Sequence, residues 1–256
     1  MMKQDSPDYL NKLKKLENIL TIYGRNPVLE ALADKSLHIE KIHLASSNQK
    51  SQNITSLLSL CEKKGIPIAY HTREELSRIS HNGKQDQGVA ADIRCSHLQN
   101  ISSLDIKSLK HGRLLALDCV TNPQNVGMII RSACAGFLDG IILPKEGCSP
   151  INPLVIKAST GTVFKATIYR CTHLAPTLRD MKHQGFSIAC LSASATQSLF
   201  DSKPTKPTIY ILGNESTGVK KEVEDLCDQK ISIPMNNGVE SLNVAVTAAL
   251  IAFYSK

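Results

Sequence analysis

Three stretches of the chain carry the side chains best able to do chemistry. They are DCVTNPQNVGMIIR (118–131), LGNESTG (212–218) and IPMNNGVESLN (233–243). Each combines asparagine with a charged or hydroxyl group, and each follows an apolar run that reads as a buried strand. Ligands of open parallel sheets bind beyond the carboxyl ends of the strands, so these polar groups are expected to converge at one rim. Several familiar chemistries are absent. No G-x-G-x-x-G follows the first strand of that region, and there is no Walker loop, no G-x-S-x-G and no nucleophile–His–Asp pattern. The 8 cysteines form no C-x-x-C pair and the 8 histidines are scattered, so no metal site is expected. The cysteines, among them Cys134 and Cys190, read as reduced core thiols.

The elements that position the three loops alternate. RLLALDCV, GIILP, FSIACLSAS, PTIYILG and KISIPM read as strands. NVGMIIRSACAGF, HLAPTLRDMKHQG, KKEVEDLCDQ and LNVAVTAALIAFY read as the helices between and after them. Strand and helix in alternation predict a mostly parallel sheet covered on both faces. The sequence before this region reads as a smaller α/β unit, with a helix on NPVLEALA, a strand on IEKIHLA, a helix on NITSLLSLCEKK ended by Gly65, a strand on IPIAYH, a short helix on REELSRI and a strand on GVAADIR. The expected organisation is a polar N-terminal tail (1–20) leading into an amphipathic helix, a small α/β domain (21–94), a Ser-rich linker (95–111) and the larger α/β domain (112–256).

The 42% hydrophobic content supports a packed core, and no apolar run is long enough to cross a membrane. The N-terminus lacks the apolar segment of a secretory signal, so a cytoplasmic protein is expected. Net charge is +7, shared between both halves, which suits a polyanionic partner. Aromatics make up only 4% and there is no Trp, which argues against a base-stacking sheet.

NPQNVGMIIRSA, LGNESTGV and ISIPMNNGVESLNVAVTAAL resemble, in order and spacing, the three signature motifs of the SpoU/TrmH family of the SPOUT class. These are RNA 2′-O-ribose methyltransferases that use S-adenosylmethionine. IYGRNPVLEAL and QGVAADI resemble the L30e-like RNA-binding domain that precedes the methyltransferase domain in the rRNA-modifying branch. The resemblance implies an α/β domain closed by a deep trefoil knot, with the last strand, loop and helix threaded through an earlier loop. It also implies a homodimer and an RNA substrate, most simply 23S rRNA. A tRNA substrate and a non-catalytic RNA-binding or ribosome-assembly role are the alternatives.

Roles follow from the same resemblance. Asn125 and Arg131 match the paired Asn and catalytic Arg of the first motif. Arg131 would either help remove the ribose 2′-hydroxyl proton or position substrate and stabilise charge. Glu215 would orient Arg131 or the substrate. Ser241 and Asn243 match the polar pair of the third motif, and Ser241 also sits where a helix N-cap belongs. Gly213, Ile233 and Leu242 match the positions that hold the cofactor's adenine and ribose. One departure is Gly136 ahead of Phe137, where relatives carry the bulky residue first; it is expected to alter local packing.

Overall fold

The computed structural model describes residues 18–48 and 51–254, so the helix expected in the N-terminal tail lies outside the described residues. The chain divides into two compact units, Met1–Ser96 and His97–Lys256.

The first unit is a four-stranded sheet of β1 (Ile19–Tyr23), β2 (His38–Ala45), β3 (Ile68–His71) and β4 (Val89–Arg94), in the order β1-β4-β2-β3. The helices are α1 (Arg25–Ala33), α2 (Gln52–Lys64) and α3 (Arg73–Ser80). Local signals explain their limits. Ser51 caps α2, Gly65 ends it in the left-handed conformation, and Thr72 and Glu75 form a reciprocal capping box on α3. A polar chain crosses all four strands. The Thr21 hydroxyl donates to Asp92 at 2.7 Å, the other Asp92 oxygen meets His43 Nε2 at 3.0 Å, and His43 Nδ1 meets His71 Nε2 at 2.9 Å. His43 is buried.

The second unit is an eight-stranded sheet in the order β10-β12-β9-β11-β6-β7-β8-β5, and every pairing in it is parallel. Its strands are β5 (Leu98–Asn100), β6 (Arg113–Leu117), β7 (Gly140–Pro144), β8 (Ile168–Cys171), β9 (Ser187–Leu191), β10 (Gln197–Ser198), β11 (Thr208–Leu212) and β12 (Gln229–Ser232). Its helices are α4 (Pro123–Ala135), α5 (Pro153–Ala158), α6 (Leu174–His183), α7 (Lys221–Glu224) and α8 (Val244–Phe253). The central strands are apolar on both faces because both are covered. Leu114 and Ala116 pack with Leu174, Leu178 and Val223 on the α6/α7 face, and the alternation of a strand sends Leu115 and Leu117 to the face where α4 packs along α8.

Of residues 95–111, expected as a linker, 95 and 96 belong to the first unit and 97–111 to this one. Leu98–Asn100 pair with β8 as an edge strand, and Ile101, Leu104, Ile106 and Leu109 pack against the α6/α7-side core from two short 3-10 turns. The long helix expected on KKEVEDLCDQ is a single turn, and β8 and α5 were not expected at all.

The last helix, α8, is apolar all round but for Thr247. Ala245, Ala248, Ile251 and Ala252 are buried, but Val246 and Phe253 are about half exposed, 48% and 53%. Gly136 is required by this packing: a Cβ there would stand 2.5 Å from the Ala252 carbonyl oxygen. Phe137 N donates to that same oxygen at 2.7 Å. At the other edge of the helix, half-buried Arg113 donates from Nη2 to the Ile251 carbonyl at 2.6 Å and from Nη1 to the Tyr254 carbonyl, with its guanidinium over the ring of Tyr210. A cation at a helix C-terminus satisfies orphan carbonyls and complements the helix dipole.

Candidate active site

The rim above the parallel strands brings three of the expected residues together. Asn122 caps α4, accepting the Gln124 N–H at 2.9 Å, and Pro123 occupies the first turn, where its missing N–H costs nothing. One residue beyond Gln124, the buried Asn125 donates from Nδ2 to the Glu215 carboxylate. Its Oδ1 accepts from Asn243 Nδ2 at 3.2 Å. Asn243 turns its own Oδ1 to the Ala245 N–H, 2.8 Å away, and so caps α8. The cap expected at Ser241 is therefore provided by Asn243. The chain is still non-helical through Ser241 and Leu242, and helical conformation begins only at Val244.

The loop that presents Glu215 is held at both ends. Asn214 Oδ1 accepts the N–H groups of Ser216 (2.9 Å) and Thr217 (3.2 Å), a turn asparagine favours. Asn214 Nδ2 donates to the Cys119 carbonyl at 3.0 Å, and Lys220 N donates to the buried Asp118 carboxylate at 2.6 Å. Gly213 is required here because a Cβ would lie 2.3 Å from the Gly218 carbonyl carbon, so the close main-chain approach it permits is that of its own loop.

Ile233, Ser241 and Leu242 line one concavity of about 640 Å³, together with Leu191, Ser192, Ser232, Pro234, Met235, Glu240 and Thr247. Gly213 is not in that lining. The walls are apolar with several hydroxyls, and the volume falls in the range of small-molecule sites.

Arg131 stands apart from Asn125. It lies two turns along α4 on the exposed stripe that includes Gln124 and Met128, and among the described residues its guanidinium has no hydrogen bond or ion pair. Glu215, expected as a partner for Arg131, is engaged by Asn125.

Five cysteines are buried, but Cys134, expected in the core, is exposed. Burial pushes the Cys148 thiol up to about 11. Cys190 is drawn down to about 7 by a hydrogen bond with Cys227, whose own pKa is pushed up by the same bond. Among the described residues no group of three or more His, Cys, Asp or Glu is placed to hold a metal ion.

Sequence reading missed Asp118, Asn214 and the Thr21–Asp92–His43–His71 chain. The first two sit inside the quoted loops but act on backbone, and the last joins four strands that are distant in sequence.

Two family matches cover most of the chain. Residues 112–253 match the SpoU rRNA Methylase family, and residues 21–98 match the RNA 2′-O ribose methyltransferase substrate binding family. The chain is 30% identical to the 23S rRNA (guanosine-2′-O-)-methyltransferase RlmB of Vibrio parahaemolyticus, over 91% of this chain and 94% of that protein. It is 28% identical to an uncharacterized tRNA/rRNA methyltransferase of Mycolicibacterium smegmatis, over 93% and 76%. In fold it is similar to the SpoU methyltransferase AviRb from Streptomyces viridochromogenes, solved in complex with AdoMet, with a TM-score of 0.62 at 20% identity over 97% of this chain and 91% of that one.

Proposed function

The chain belongs to the SpoU rRNA methylase family, and on that premise we propose that its substrate is 23S rRNA and that Asn125, Arg131, Glu215, Ser241 and Asn243 form its active site. The chain is an S-adenosylmethionine-dependent RNA 2′-O-methyltransferase. The observation that supports the site is the hydrogen-bonded run Glu215–Asn125–Asn243, which ties together the loops after β6, β11 and β12.

The concavity lined by Ile233, Ser241 and Leu242 fits S-adenosylmethionine. Apolar walls at Ile233, Pro234, Met235 and Leu242 suit the adenine, and the hydroxyls of Ser192, Ser232, Ser241 and Thr247 suit its ribose and amino-acid ends. Gly213 contributes by shaping the adjoining loop. Bound there, the cofactor supplies an electrophilic methyl group. The chain's own residues hold the acceptor. Arg131, a permanent cation with five donors, pins an RNA phosphate or the ribose and favours the oxyanion as the 2′-hydroxyl proton leaves. Asn125, fixed by Glu215 and Asn243, holds the rim loops in place.

The protein functions as a homodimer through α4 and α8. Met128, Val246 and Phe253 on these neighbouring helices, and Phe137 just past the end of α4, are exposed apolar residues, a grouping that marks an interface. A pair so joined carries Arg131 at the edge of its interface. The last strand, loop and helix form the trefoil knot, a reading supported by the burial of α8 against α4 and by the grip of Arg113 on the end of α8. Location is the cytoplasm, where ribosomal RNA is found; no helix among the described residues is long and apolar enough to cross a membrane.

The test is mapping of 2′-O-methylation in 23S rRNA from a strain lacking the protein, followed by methylation of that RNA in vitro. A single site absent from the strain and restored by the protein supports the reading. Restoration on tRNA alone overturns the substrate, and no methyl transfer to any RNA overturns the site assignment.

A further inference from the structure

A second concavity, of about 300 Å³, opens at the same end of the sheet but on its other face. Strand parity places it: Leu114 and Ala116 face α6 and α7, and Asp118, two residues on, continues that side. The methyl-transfer residues Asn125 and Asn243 belong to α4 and α8 on the opposite face. The floor of the concavity is the Asp118 carboxylate, only 4% exposed. One oxygen accepts the Lys220 N–H at 2.6 Å, and the Cys119 thiol is hydrogen-bonded to the same carboxylate, which leaves lone pairs over for further donors. The walls are Pro144, Leu174, Ala175, Pro176 and Val223, and the mouth carries His173, whose Nδ1 lies 3.3 Å from Glu146.

This is the shape and chemistry of a slot for one flat heterocycle. Apolar walls take the faces of a ring, an imidazole at the mouth offers a stacking surface, and a buried carboxylate at the floor can only accept hydrogen bonds. A buried carboxylate with unused lone pairs is costly unless a donor reaches it. Among the nucleobases, guanine presents two adjacent donors, N1–H and N2–H, on one edge. Its neighbouring O6 needs a donor, and Lys220 and the start of α6, which has no side-chain cap among the described residues, are both at this site. Burial of Asp118 excludes the water that would otherwise compete for those bonds.

We infer that this concavity is a base-reading subsite, which holds one unstacked guanine of the RNA against Asp118 on the face of the sheet opposite the methyl-transfer residues. The inference rests on RNA being the substrate. It adds a second anchor, so that the RNA is gripped on both sides of the loop that carries Glu215.

The test uses the full chain and the four nucleoside 5′-monophosphates as probes, with binding read by saturation-transfer NMR and S-adenosylmethionine binding read by calorimetry. GMP should bind about tenfold or more tighter than AMP, CMP or UMP, the discrimination expected of a paired hydrogen-bond contact to a base edge. Asp118→Asn keeps an oxygen for the Lys220 N–H but turns a donor toward the base, and should abolish the preference while S-adenosylmethionine still binds. His173→Ala, at an exposed position, should weaken GMP several-fold and leave the preference in place. Equal binding of all four nucleotides overturns the subsite, as does GMP binding unchanged in both variants. Should Asp118→Asn fail to bind S-adenosylmethionine through loss of fold, His173→Ala decides: unchanged GMP binding overturns the subsite. A chain that selects GMP but never binds S-adenosylmethionine would instead overturn the methyltransferase reading and leave this one standing.

Discussion

Asn243 donates to Asn125 across 118 residues of sequence, and the bond joins the first turn of α8 to the first turn of α4. Because Asn125 passes its own amide on to Glu215, removal of its side chain strands a donor on one side and an acceptor on the other. Asn125→Ala should therefore cost ~1–3 kcal/mol in urea unfolding and lose methyl transfer. Asn125→Asp is the sharper probe, since it sets two carboxylates against each other. Their repulsion raises both folded-state pKa values, so the variant is closest to the parent below the unfolded-state carboxylate range and loses stability as pH rises through the raised values. A stability deficit equal at pH 5 and pH 8 would show that Glu215 is not held against residue 125.

Arg131→Ala should abolish methyl transfer with little change in folding. The side chain is exposed and free of partners among the described residues, so its removal should move stability by no more than about 0.5 kcal/mol. S-adenosylmethionine affinity should hold, because Arg131 is not among the residues lining the cofactor concavity. Single-turnover assays with calorimetry check both points, and a variant that keeps most of its rate removes Arg131 from the mechanism.

Val246→Glu with Phe253→Glu should yield monomers. Each places a charge on an apolar position already half exposed, so the fold of one chain tolerates it while burial against a second copy does not. Sedimentation of parent and variant at micromolar concentration decides; identical sedimentation of the two places the interface elsewhere.

A chain beginning at His97 should fold and bind S-adenosylmethionine yet bind rRNA weakly, having lost Arg25, Lys41, Lys63 and Lys64. A chain beginning at His111 should fold poorly, since it loses the edge strand at Leu98 and the cover of Ile101, Leu104, Ile106 and Leu109. Thermal melts and filter binding on both truncations test this. Equal melting of the two would return residues 97–110 to the role of a tether.

Acid should loosen the first unit. Burial opposes ionisation of Asp92, but hydrogen bonds from His43 and Thr21 outweigh it and hold the carboxyl below its usual value. A depressed pKa stabilises the fold above the unfolded value, about 3.9 for Asp, and that contribution disappears as pH falls below it. Protection of β2 and β4 amides from hydrogen exchange should fall between about pH 4 and pH 2, and less so in Asp92→Asn, which is weaker throughout.

Strands β6, β7, β9, β11 and β12 are legible in the sequence because each is a short apolar run bounded by turn residues, and the three rim loops because asparagine clusters there. Residues 97–111 read as a linker because serine is frequent there, although Leu98, Ile101, Leu104, Ile106 and Leu109 supply an apolar side. Ser241 was offered as a cap because caps are recognised by residue type, while the choice between Ser241 and Asn243 depends on where extended backbone gives way to helix. Arg131 and Asn125 stand six residues apart on one helix, and that spacing turns them to different sides. Gly136, noticed only as a departure, proved to be the seat of α8.

Arg113 gives the second unit an order of assembly. It opens the strand that pairs with both β7 and β11, yet its carbonyl partners, on Ile251 and Tyr254, are synthesised 138 and 141 residues later. Until they emerge from the ribosome, the guanidinium has no protein acceptor there, and the start of β6 is held near water by its hydration. The sheet can therefore begin to form during translation, but it cannot seal until α8 arrives, so closure of the core waits on an element made 138 residues after the strand it covers.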